Sequence, residues 1–105
     1  MNMKLEEAIV CISYFQAKPQ FKNALINALL QLTKQTLTEP GCLQYDLILD
    51  EQNSQNLILI EKFTDPEAFE KHANASYIRE FTETVMDEYC EKVWWDEGRK
   101  ILSNE

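Results

Sequence analysis

This 105-residue chain has few basic side chains, three scattered cysteines, a single histidine and no long apolar run. Lysine and arginine number 10 against 18 aspartates and glutamates, a formal charge of −8. That balance repels polyanions, so nucleic acid and an anionic membrane surface are not expected partners. No stretch approaches the roughly 20 apolar residues that a membrane-spanning helix requires. The first residues, MNMKLEEA, hold no apolar segment of a secretion signal. Cys11, Cys42 and Cys90 are odd in number and form no CxxC pair, which fits neither a disulfide framework nor a zinc site. Reduced thiols in a cytoplasmic protein are the expectation. Asn74-Ala75-Ser76 is a glycosylation sequon in form only and reads as a helix junction. With no phosphate-binding loop, nucleophile triad or metal-ligand spacing, neither a metal nor another cofactor is expected.

What is present is a globular composition, 45% apolar and 27% charged, which predicts one folded domain over 1–105 with its core at about 8–97. The pivotal stretch is Leu57 to Phe81. Leu57-Ile58-Leu59-Ile60 suits a buried strand, and Thr64-Asp65-Pro66-Glu67 reads as a helix start. Asp65 can cap the first free amides and Pro66 suits the first helical position, although Thr64 and Glu67 also match a capping box. Ala68, Phe69, His72 and Ala73 then share one helix side. Asn74 to Ser76 interrupts the helix and can cap a second one carrying Ile78, Phe81, Val85 and Tyr89.

Earlier in the chain, Ala8 to Phe15 reads as a strand apolar on both faces, with Ile9, Cys11 and Phe15 on one side and Val10, Ile12 and Tyr14 on the other. A helix follows from Pro19 to about Thr36, with Phe21, Leu25, Ala28, Leu29 and Leu32 inward. Glu39-Pro40-Gly41-Cys42 is a turn in which Gly41 can take a positive φ. Leu43, Tyr45, Leu47 and Leu49 alternate with Gln44 and Asp46, and Asp50 to Asn56 is a hairpin connection. Glu91 to Asp96 is a last strand, and Gly98 onward a short polar tail. The order strand, helix, strand, strand, interrupted helix, strand predicts an α+β, ferredoxin-like βαββαβ fold with a four-stranded antiparallel sheet. Its helix-free face keeps apolar side chains, so a sheet-to-sheet homodimer is expected.

Two motifs, Glu39-Pro40-Gly41-Cys42-Leu43-Gln44-Tyr45 and Glu61-Lys62-Phe63-Thr64-Asp65-Pro66-Glu67-Ala68-Phe69-Glu70-Lys71-His72, give the chain a resemblance to the antibiotic biosynthesis monooxygenase family of dimeric α/β barrels. Its small cofactor-independent quinol monooxygenases are similar in length. The second motif departs from the family pattern in having Phe63 where many members have tryptophan. Tyr77 stands where several quinol-oxidising members have a second histidine. The first strand offers Cys11 and Ser13 but no asparagine, which oxygenase and haem-degrading relatives often carry there.

The resemblance implies a monooxygenase that uses O2 on a small aromatic, quinol-type substrate. His72 is then the base that binds or deprotonates a phenol, since an ordinary imidazole pKa near 6.5 suits that work at neutral pH. The alternative for His72 is a core histidine satisfied by a carbonyl. Glu61 either orients His72 or pairs with Lys62 or Arg79. Phe63, Tyr77, Tyr45, Phe81 and Trp94 are either core or the walls of an aromatic-binding site. Other functions on the same scaffold are haem binding or degradation, isomerisation of a small phosphorylated sugar, and non-catalytic ligand binding.

Overall fold

The computed structural model describes residues 3–102. It begins with a two-residue strand, β1 (Lys4–Leu5), and the long strand β2 (Ile9–Ala17). A 3-10 turn at Pro19–Phe21 leads into α1 (Lys22–Thr36), after which β3 (Cys42–Leu49) and β4 (Asn56–Phe63) form a hairpin. Next come α2 (Pro66–Ala73), α3 (Ser76–Glu80), a π-helical turn (Phe81–Val85) and α4 (Met86–Tyr89). The long strand β5 (Cys90–Gly98) and the short β6 (Ile101–Leu102) follow. The four long strands lie in the order β3-β4-β2-β5, with every pair antiparallel. This is the ferredoxin-like arrangement that the element order implies.

The β1–β6 ribbon lies outside that expectation, since the residues after Gly98 form a strand that pairs with Lys4–Leu5. A two-residue strand is too short to carry a readable alternation. The last long strand also runs further than Glu91–Asp96, from Cys90 to Gly98.

Leu25, Leu29 and Leu32 of α1 are buried against Phe15, Leu57, Leu59 and Phe63 of the sheet. Each such side chain contributes about 1.5–3 kcal/mol by leaving water. Asp65 is the cap of α2, accepting the Ala68 amide at 2.8 Å, and Pro66 opens the helix. The next helix has no side-chain cap, because Ala75 occupies that position and the Asn74 amide donates to the Glu70 carbonyl instead.

Two expectations about the turn before β3 are corrected. Gly41 does not adopt a positive φ; a Cβ there would stand 2.5 Å from the Ala68 Cβ. Glycine is needed because the turn lies hard against α2. A bulge between Cys42 and Gln44 also breaks the alternation, so Leu43 is 56% exposed rather than facing inward with Tyr45 and Leu47.

The sheet has helices on one face only, and the molecule is a plate 19 Å thick in its shortest dimension. Register places Ile48, Ile58, Tyr14 and Trp94 in one row of the helix-free face, and Asp46, Ile60, Ile12 and Asp96 in the next. Tyr14 and Trp94 stack there with ring centroids 5.2 Å apart.

Candidate functional site

The helix-side face of the sheet carries an alternation with one polar interruption. Along β4, Leu57, Leu59, Glu61 and Phe63 are buried while their neighbours are half-exposed. Glu61 is therefore delivered into the space beneath the helices by the same period of two that buries Leu59 and Phe63. Across from it stand Tyr45 of β3 and Cys11 of β2. The helix α2, started by Asp65 and Pro66, sets His72 in its last turn over this carboxyl group.

His72 is 4% exposed and Glu61 6% exposed. His72 Nε2 lies 3.5 Å from Glu61 Oε1, and His72 Nδ1 lies 3.0 Å from Glu39 Oε2. Glu39 comes from the Pro40-Gly41 turn, and its carboxylate also accepts the Tyr77 hydroxyl. The imidazole is boxed by Phe63, with ring centroids 4.7 Å apart, and by the edge of Tyr45 at 5.6 Å. The proposed pairing of Glu61 with Lys62 or Arg79 is not present. Lys62 instead reaches Glu6 at 3.4 Å and Arg79 reaches Glu83 at 3.1 Å.

Next to His72 and Glu61 is a cavity of about 260 Å³. Cys11, Ser13 and Phe15 of β2, Tyr45, Leu59 and Trp95 line its sheet side. Leu32, Phe69, Ile78, Phe81 and Met86 line it from the helices. Neither lysine nor arginine is in the wall. The π-helical turn contributes Phe81 and Thr82, and such turns recur at ligand sites.

The low-polarity surroundings raise the pKa values of the ionisable groups here. Burial, opposed by a Ser13 hydrogen bond and reinforced by the charges of Glu39 and Glu97, pushes the Glu61 carboxyl up to about 7. Burial and the neighbouring Glu61 push Cys11 up to about 11 and Tyr45 well above the usual phenol range. Burial likewise raises Cys90 to about 11 and raises Cys42. No cysteine is disulfide-bonded. Among the described residues no cluster of three or more His, Cys, Asp or Glu side chains is placed to hold a metal ion. Nor is any helix long and apolar enough to cross a membrane.

Of the residues selected from sequence, His72, Glu61, Tyr45 and Phe81 meet at this cavity. Phe63 stands behind His72 and supports it instead of lining the wall. Tyr77 faces a second, open cleft of about 420 Å³ on the other side of Glu39. Trp94 is corrected outright, because its pairing with Tyr14 puts it on the helix-free face, whereas Trp95 opposite Ser13 lines the cavity. The sequence carried a signal for this, since Trp95 shares the parity of the apolar Val93 while Trp94 shares that of Lys92 and Asp96. Glu39, Cys11, Ser13 and Met86 were not singled out for the site. Cys11 and Ser13 share the inward parity of Phe15, but Glu39 sits in a turn with no period to reveal its direction.

A family model described as antibiotic biosynthesis monooxygenase matches residues 8–84. No functionally curated protein matches the chain by sequence. Among solved structures, a Shewanella oneidensis protein is 29% identical with a TM-score of 0.91, over 97% of this chain and 100% of that one. A Pseudomonas aeruginosa protein is 28% identical with a TM-score of 0.82, over 95% and 98% of the two chains. A Methanosarcina mazei protein, 24% identical over 90% and 94%, shares the fold with a TM-score of 0.85.

Proposed function

The chain belongs to the antibiotic biosynthesis monooxygenase family, and we propose that it oxygenates a small aromatic, quinol-type substrate with O2, using no metal or flavin. The observation that carries this is His72 Nε2 in the wall of an otherwise apolar cavity, beside a carboxyl group poised to titrate near neutrality. An apolar cavity of about 150 Å³ already accommodates benzene, so about 260 Å³ suits a substituted single ring. Tyr45 and Phe81 supply aromatic contacts to hold it.

With Nδ1–H donated to Glu39, the neutral ring presents its Nε2 lone pair toward Glu61 and the cavity. That nitrogen takes the proton of a substrate hydroxyl, and the resulting phenolate is electron-rich enough to reduce O2. A quinol and O2 then become a hydroxyquinone and water, with one oxygen atom in each product and no external reductant. The chain's own part is to bind the ring, accept and return a proton, and exclude water. A phosphorylated substrate is disfavoured because no cationic side chain lines the cavity.

A second copy of the chain covers the apolar row of Ile48, Ile58, Tyr14 and Trp94, making a homodimer through the sheet faces. Three unpaired thiols support a reducing compartment, the cytoplasm, as its location. Oxygen uptake by purified, metal- and flavin-free protein with a panel of substituted quinols tests the activity. Uptake no faster than the uncatalysed reaction for every quinol overturns it.

A further inference from the structure

Two spaces flank the buried histidine, and four side chains connect them. Glu61 and His72 line the cavity between sheet and helices, while Glu39 and Tyr77 line the cleft beneath the Pro40-Gly41 turn. His72 Nδ1 reaches Glu39 Oε2 at 3.0 Å, the Tyr77 hydroxyl donates to that same carboxylate, and Thr36 Oγ1 lies 3.4 Å from the hydroxyl. Glu39 thus touches the imidazole on its buried side and borders solvent on the other.

We propose that Glu39 carries protons between His72 and the open cleft, with Tyr77 as the residue that positions it. For its substrate, though not for the path itself, this rests on the oxygenase reading. When Nε2 takes a proton from the substrate, Nδ1 gives one to Glu39, so the ring stays neutral and one proton now sits at the cleft. The path runs backward later in the cycle. Glu39, or water behind it, returns the proton to Nδ1, and Nε2 hands its own to the hydroxide leaving the substrate, which departs as water. The ring regains its first tautomer and no net proton is gained or lost. Three acidic side chains surround the site. Glu61 from β4, Glu39 from the turn and Glu97 from β5 act on it, together with the phenols of Tyr45 and Tyr77 and the thiol of Cys11. Lys71, Asp65 and Glu67 border the cleft end.

The chain has one histidine, so the ring nitrogens of ¹⁵N-labelled protein report on this path without ambiguity. Glu39→Gln keeps an acceptor for Nδ1–H but cannot take up its proton. The expected result is an unchanged Nδ1–H tautomer, exchange of that proton with water slowed about tenfold, and turnover lowered by about the same factor with KM held. Glu39→Asp should recover part of both rates. Tyr77→Phe should slow turnover less and leave the tautomer in place. Glu39→Gln with wild-type proton exchange overturns the path, as does an Nε2–H tautomer in the wild type. Absence of quinol oxidation by the wild type is a separate result, which sinks the oxygenase reading while the proton-exchange measurement still decides the path.

Discussion

Glu61 Oε1 lies 3.5 Å from His72 Nε2, and both side chains are buried between the sheet and the helices. Burial penalises the charged carboxylate, and it does so in the folded state alone.

The consequence for stability has a definite sign. The Glu61 carboxyl is raised from 4.5 to about 7 on folding, so the folded state holds its proton over a range where the unfolded chain has lost it. This group favours the folded state most below pH 4.5, and that contribution is lost as pH rises through about 7. Glu61→Gln removes the dependence. Urea unfolding of wild type and Glu61→Gln at pH 4.5 and pH 8 should show the variant gaining on the order of 3 kcal/mol relative to wild type. A stability difference that stays constant between the two pH values contradicts the assignment.

His72→Ala is expected to cut quinol turnover by 10²-fold or more, roughly the worth of a positioned general base. Because the ring also packs on Phe63 and Tyr45 and satisfies Glu39, it should lower stability as well, by about 2–4 kcal/mol. His72→Gln fills most of the space and can still donate to Glu39. It should recover stability without recovering rate, and recovery of both argues that His72 is a packing residue.

Ile12→Asp places a charge in the middle of the helix-free sheet face, next to Ile60. Light scattering at micromolar concentration should give a dimer mass for wild type and a monomer mass for the variant. A wild-type monomer at that concentration removes the proposed sheet-to-sheet assembly.

Gly41→Ala should destabilise by about 1–3 kcal/mol, the usual cost of forcing a methyl into packed space. The added carbon meets Ala68 Cβ at 2.5 Å, so α2 must shift and take His72 with it. The double variant with Ala68→Gly should restore much of the melting temperature. No restoration indicates that the turn backbone, not the close approach, is what the methyl disturbs.

The legibility of this chain divides along a physical line. The order of strands and helices can be read because Leu57–Ile60, the α1 stripe and the Asp65-Pro66 start are local patterns with known periods. Glu61 and His72 can be read because strand parity and helix phase put both on buried faces. Glu39 cannot, since a turn residue has no parity and its partners lie 33 and 38 positions further on. The adjacent tryptophans differ for another reason. The parity of Val93 with Trp95 is a single apolar match in a short strand, and the pairing of Tyr14 with Trp94 is what fixes which ring turns outward. Gly41 shows the same limit. A glycine after proline signals a turn, whereas its closeness to Ala68 belongs to tertiary packing alone.

The central strand β2 has its neighbours at very different distances along the chain. It pairs with β4 on one side and, on the other, with β5, reached only after everything from Lys18 to Tyr89 has been placed. Closing so long a loop is entropically costly, and pairings of high sequence separation slow folding. Until β5 arrives, the edge of β2 offers unpaired amides and carbonyls beside Val10, Ile12 and Tyr14, a template for strands of other molecules. Refolding yield should therefore fall with protein concentration, and the order of events, not the final fold, sets how much of the chain is lost to aggregates.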